Sequence, residues 1–277
     1  MQDIEERSFH TKDGTSVFYR TAIPENAVAS LIILHGYAEH SGRYMHVIRY
    51  FAEKNIAVFA PDERGHGKTA KLLGDIEGFQ EVMDDISMIH KQIKEKYPTR
   101  PIFLYGHSMG GLLAVLYAEK HEKDLDGLIL SGSLMILPDN VSPLLIKIAG
   151  FIAAVMPKLP LQPFDYSGCS RDPKVIEALE KDPLYYKGKT RAKTGNEIIK
   201  GIKEAITNLK SITLPVLICH GGADHLVNPD ASKTIYENVN SGDKKLKIFT
   251  GLYHEIHNEP EKEEVLKYMG DWIDKRI

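Results

Sequence analysis

Six short apolar runs, spaced by segments of helical period, constrain this chain more than any other feature of its sequence. They cover residues 29–34, 56–60, 101–105, 125–130, 214–219 and 246–250. Five are near-continuous apolar runs rather than alternating ones, as strands buried on both faces of a parallel sheet are. The sixth has a charged start, with Lys247 as its second residue. Between the runs, apolar side chains recur at helical spacing. One set is Tyr44, Val47, Ile48 and Phe51, with Ser41 placed to cap a helix. Others are Val82, Ile86, Ile89 and Ile93, then residues 112–118, and near the end Val265, Leu266, Met269, Trp272 and Ile273. Residues 7–11 and 15–21 flank Lys12-Asp13-Gly14, a hairpin signal. A hairpin followed by strand–helix units predicts an α/β fold. Its sheet would be doubly wound, mostly parallel and eight-stranded.

The rhythm breaks between about Leu134 and Ser211, which carry prolines, greasy patches and a basic run but no strand signal. This segment reads as a helical cap inserted over the C-terminal edge of the sheet, where open α/β sheets bind ligands. The expected division is a core of residues 1–133 and 212–277, with residues 134–211 as the cap. A 277-residue chain that is 43% hydrophobic can fill such a core. A net charge of −3 gives no basic excess, so nucleic acid is not an expected partner. Cys169 and Cys219 stand far apart outside any CxxC pattern. They read as free thiols of a cytoplasmic protein. The opening residues lack a basic and then apolar leader, so no secretory signal is expected. The greasiest stretch, residues 144–156, is shorter than the ~20 residues a spanning helix needs.

One apolar run leads into Gly106-His107-Ser108-Met109-Gly110-Gly111, a strand, a tight turn and a helix start. Gly-x-Ser-x-Gly between strand and helix is the nucleophile elbow of α/β hydrolases, and it marks Ser108 as nucleophile. Glycines flank the serine because a Cβ there would strike the neighbouring strand or helix. In that fold the acid and then the histidine follow the serine, each after a strand. Asp224 lies beyond the fifth run in His220-Gly221-Gly222-Ala223-Asp224, with Asp139 and Asp230 as rivals. His254 is the first histidine past the sixth run, with His257 as its competitor. A carboxylate in this role fixes the imidazole tautomer and stabilises the imidazolium. The turn His35-Gly36-Tyr37 closes an earlier strand, so the backbone N–H groups of Tyr37 and Met109 are the expected oxyanion donors. His35, His40, His66 and His107 fall near the same edge and are candidates for supporting roles.

Other patterns carry less. Gly67-Lys68-Thr69 and Gly188-Lys189-Thr190 end like a P-loop, but Asp62 and Pro183 stand where its first glycine belongs. His254-Glu255 opens like a zincin helix, but Asn258 replaces the second histidine. No metal or cofactor is expected. The basic run from Lys187 to Lys203 reads as a solvated helix face, or as weak attraction to an anionic lipid surface.

Taken together, several motifs resemble one group within the α/β hydrolases. They are His35-Gly-Tyr-Ala-Glu-His40-Ser-Gly-Arg43-Tyr44, Asp62-Glu-Arg-Gly65-His66-Gly67, Gly106-His-Ser-Met-Gly-Gly111, Gly222-Ala-Asp224 and Tyr253-His254-Glu255. The chain resembles the monoacylglycerol lipases and their lysophospholipase-like relatives, over essentially its whole length but weakly in the cap. The resemblance implies a serine hydrolase of single-chain acyl esters with the triad Ser108, Asp224 and His254. It also accounts for Thr69, since a serine or threonine commonly stands there in the group. Rival readings are a lysophospholipase or broad carboxylesterase, an acyltransferase, or a binding module on the same fold. A further expectation is peripheral membrane contact through residues 141–156, whose apolar side chains nearly encircle a helix with Lys147 the only charge. Burial of that helix in a core is the alternative. The oligomeric state is left open.

Overall fold

The computed structural model describes residues 3–137, 141–163 and 165–277. Its main sheet begins with the hairpin β1 (Glu5–His10) and β2 (Ser16–Ala22), paired antiparallel around a turn in which Gly14 takes φ +81°. Then come β3 (Ala29–Leu34), α1 (Met45–Glu53), β4 (Ile56–Pro61), α2 (Phe79–Lys96), β5 (Ile102–His107), α3 (Met109–His121) and β6 (Gly127–Ser131). After β6 the chain leaves the sheet. It forms α4 (Pro143–Val155), β7 (Pro160–Gln162), α5 (Pro173–Lys181), β8 (Thr190–Arg191) and α6 (Ala192–Asn208). It returns through β9 (Val216–Gly221), α7 (Asp230–Asn238), β10 (Lys244–Phe249) and α8 (Lys262–Asp274). The eight strands run in the order β1-β2-β4-β3-β5-β6-β9-β10. Only the β1–β2 and β2–β4 pairs are antiparallel.

Side chains alternate across a strand, so each inner strand feeds two cores. Ile32 and Leu34 of β3 join α2, α3, α6 and α7 on one face. Leu31 and Ile33 join α1 and α8 on the other. This double burial makes the inner strands continuously apolar. β10 is the edge strand and largely half-exposed, which explains its lysines. Thr69 Oγ1 accepts the Phe18 N–H at 2.9 Å and so ties a loop after β4 to β2.

Two local expectations need correction. Ser41 does not cap α1: it starts a 3₁₀ turn whose cap is His40, and α1 begins only at Met45. The Ser41 hydroxyl instead donates to Asp62. The segment expected to lack strands contains the short antiparallel pair β7–β8. Main-chain bonds tie this segment to the sheet loops. Leu134 N–H donates to Ser108 O at 3.0 Å, Tyr186 N–H to Ala38 O at 2.8 Å, and Glu255 N–H to Cys169 O at 2.8 Å.

Candidate active site

Ser108 sits between β5 and α3 at φ +53° and ψ −117°, a backbone region that side-chain-bearing residues rarely adopt. The neighbours impose it. Its N–H donates to Ser131 O at 2.9 Å, and its carbonyl accepts from Gly111 and Leu112 in the first turn of α3. A Cβ on Gly106 would stand 2.3 Å from the Gly110 carbonyl oxygen, and one on Gly110 equally close to those of Leu34 and His35. Met109 opens α3, so its N–H has no carbonyl a turn below it within the helix.

Asp224 lies three residues past the end of β9, and its carboxylate is fully engaged. Oδ1 accepts the N–H groups of Leu226 (2.8 Å) and Val227 (3.0 Å). Oδ2 accepts His254 Nδ1–H at 2.7 Å and His220 Nε2–H at 3.0 Å. Burial alone would raise its pKa, but charge on His254 and the two imidazole bonds hold it well below the usual carboxylate range. His254 follows β10 through a turn and is buried. Burial pushes its pKa down, yet the charge and hydrogen bond of Asp224 outweigh that, leaving it above its ordinary 6.5. With Nδ1 committed to Asp224, Nε2 is the nitrogen left for chemistry. Ser108 and His254 line one cavity.

The rival residues lie elsewhere. His257 is stacked on Tyr44, with ring centroids 4.7 Å apart, and its Nδ1 meets the Tyr105 hydroxyl at 3.3 Å. Burial pushes its pKa well below the usual value. Asp230 starts α7 on the surface, bonded to Lys233. Asp139 lies outside the described residues.

Tyr37 sits in the loop after β3, beside Ala38 at φ +73°. Glu39 holds this loop: its Oε1 accepts Gly36 N–H at 2.6 Å and the Tyr44 hydroxyl at 2.7 Å. Arg43 reaches Glu39 with Nε (3.4 Å) and Glu255 with Nη2 (2.5 Å). The residue after His254 is thereby joined to the residue that anchors the Gly36 turn. Burial and the nearby Glu255 push Glu39 up to about 7, against the pull of Arg43.

From Ser108 a cavity of about 580 Å³ runs under α4 and α6, walled by Leu134, Leu145, Ala149, Ile198 and Leu226 among others. Leu145 therefore faces inward. Elsewhere on α4, Leu144, Phe151 and Val155 are 66%, 74% and 62% exposed. The helix is not buried in a core. Among the described residues no helix is long and apolar enough to cross a membrane.

The family described as serine aminopeptidase, S33, matches residues 25–261. The chain belongs to that family. This S33-family hydrolase is 33% identical over 269 residues to a monoacylglycerol lipase of Mycolicibacterium smegmatis, covering 97% of this chain and 96% of the relative. It is 31% identical to the monoglyceride lipase of Mus musculus, covering 96% of this chain and 89% of that one. Its structure resembles the crystal structure of Paleococcus ferrophilus monoacylglycerol lipase, with a TM-score of 0.85 and 26% identity. That match covers 99% of this chain and 100% of the other. The fold is that of the α/β hydrolases.

One cluster in this hydrolase has the composition of a metal site: His35, Glu63 and His66, all buried within 4.8 Å of one another. Their bonds argue against it. His35 Nε2 accepts Glu63 N–H at 3.0 Å and Nδ1 donates to Gly36 O at 2.8 Å, so both nitrogens are spent. Only Glu63 and His66 would remain as ligands, too few for a structural or catalytic zinc site. Reading the sequence missed two groups of supporting residues. In the sequence His220 stands only as part of a turn, and Glu39, Arg43 and Glu255 only as parts of motifs. Their signal was present: polar residues at the ends of apolar strands or in the loops that follow them.

Proposed function

We propose that this chain hydrolyses carboxylic esters of single-chain acyl lipids, foremost monoacylglycerols, to fatty acid and glycerol. The observation that carries the reading is the Ser108, His254 and Asp224 constellation at the end of a mostly apolar cavity large enough for an acyl chain. Ser108 attacks the ester carbonyl as His254 Nε2 takes its proton, with Asp224 fixing the tautomer. The N–H groups of Tyr37 and Met109 hold the oxyanion. His254 then protonates the leaving alcohol, and water, activated by the same imidazole, cleaves the acyl-enzyme. No metal or cofactor enters these steps. Residues 134–211 act as a cap whose inner side chains select the acyl chain. The names of the relatives support the substrate class, and the Asp224–His254 hydrogen bond beside Ser108 in one cavity supports the assignment of the chemistry to these residues. Hydrolysis of a panel tests it: mono-, di- and triacylglycerols, lysophospholipids and p-nitrophenyl esters of graded length. The expected result is highest kcat/KM on monoacylglycerols. Preference for lysophospholipids would favour the lysophospholipase alternative, and acyl transfer to added alcohols outpacing hydrolysis an acyltransferase.

We further propose a place where the enzyme meets its substrate. The protein is cytoplasmic and touches membranes reversibly through the outer face of α4. Its support is the exposed row Leu144, Phe151 and Val155, placed on the element whose inner side lines the cavity. A Leu144→Ser/Phe151→Ser/Val155→Ser variant should bind liposomes several-fold less in co-sedimentation and lose activity on vesicle-borne substrate. Its activity on a soluble butyrate ester should stay intact, since none of the three side chains lines the cavity. Equal sedimentation of variant and parent would dismiss this contact.

A further inference from the structure

Asp224 serves two imidazoles through one oxygen. His220, wholly buried in β9, places Nε2 3.0 Å from Asp224 Oδ2 and 3.0 Å from the carbonyl oxygen of Val227. A carbonyl only accepts, so Nε2 carries a hydrogen. The Ser232 hydroxyl of α7, also buried, meets Nδ1 at 2.7 Å. Strand, loop and helix thus hold this ring in one orientation, with its N–H on the oxygen that receives His254 Nδ1–H.

We infer that His220 is a positioning residue of the reaction: its Nε2–H locks the rotation of the Asp224 carboxylate and divides with His254 the negative charge of Oδ2. The inference rests on the proposed triad. A second donor on Oδ2 draws charge toward itself, so the His254 imidazolium is stabilised less than an undivided carboxylate would stabilise it. The base then gives up its proton at a lower pH than it would beside an undivided carboxylate, which widens the range in which it is neutral and able to accept one. Asp224, Glu255 and Glu39 are the carboxylates acting on His254, and His107, His257 and His220 the neighbouring imidazoles. The substitutions below change only the last of these groups.

The experiment uses the full chain, p-nitrophenyl butyrate and the pH dependence of kcat/KM between about 5 and 9, where the acid limb reports the free enzyme's base. In the parent, His254 must be neutral to act. Activity therefore rises with pH, with a midpoint above 6.5 because the folded protein raises this pKa. In His220→Asn the amide reaches the position of Nδ1 but not that of Nε2. The bond to Ser232 is kept, and the contacts of Nε2–H with Asp224 Oδ2 and with the Val227 carbonyl are both lost. The limb should move up by about half a pH unit and kcat fall about tenfold, the effect of one charge-assisted hydrogen bond. In His220→Gln the amide nitrogen replaces Nε2, and both values should return close to the parent's. Thermal midpoints of the variants separate folding from function. An unmoved limb in His220→Asn overturns the inference, as do equal losses in both variants that follow their thermal midpoints. Retained turnover in His254→Ala would instead overturn the proposed triad.

Discussion

Replacing Ser108 with alanine should abolish ester turnover, with a loss of about 10⁶ in kcat, the size found when a serine nucleophile is removed from such a triad. Only Oγ is deleted. The strained backbone at φ +53° is held by Ser131, Gly111, Leu112 and Leu134 through main-chain bonds, so the elbow survives the substitution. What would remain is the proposed oxyanion pocket and substrate binding, which in such a triad leave ~10³–10⁴ over the uncatalysed reaction. Assay of p-nitrophenyl butyrate hydrolysis gives the loss, and a fluorophosphonate probe gives an independent reading. The parent should be labelled stoichiometrically and the variant not at all. Covalent labelling of the alanine variant at undiminished rate would assign the nucleophile elsewhere.

Replacing His254 with alanine should be equally severe, because a nucleophile and its base act as a unit and either deletion removes the function of both. The informative comparison is His257→Ala. His257 lies three residues on in the same loop, but its ring is stacked on Tyr44 and its Nδ1 faces Tyr105. Its loss empties a buried site and should cost about 1–3 kcal/mol of stability, read as a lower urea midpoint. Folded His257→Ala protein should still react with the fluorophosphonate, whereas His254→Ala should not. The reverse pattern would exchange the two histidines.

Strands were legible wherever both faces are buried. β3 lies exactly where its apolar run does because Leu31 and Ile33 enter one core while Ile32 and Leu34 enter the other. β10 departed from that pattern for the reason its position gives: an edge strand needs no apolar outer row. β7 and β8 were illegible because three and two residues are too few to display a period. Ser41 is a good capping type, but Asp62 offers its hydroxyl a buried acceptor, and the chain spends four residues in a 3₁₀ turn first.

In the site, the positions that chain order pointed to come together because each lies just past the C-terminal end of a parallel strand, and those ends share one edge. The supporting groups were harder to foresee. Arg43 meets Glu255 across 212 positions of chain, a pairing no local spacing encodes. His220 is four residues from Asp224, the spacing of a helical pair. Here it bridges a strand end and a turn instead, a geometry that only the tertiary fold supplies.

The three bonds joining residues 134, 169 and 186 to the sheet loops use only backbone atoms. Any residue but proline at those positions leaves the same N–H and C=O in place. Mutation can therefore reshape the wall of the acyl cavity without tugging on the serine turn or the histidine loop. The cavity wall is free to drift through side chains such as Leu145 and Ile198, while these three main-chain ties stay in place. A protein built this way can change what its cavity accepts in small steps without loosening those ties.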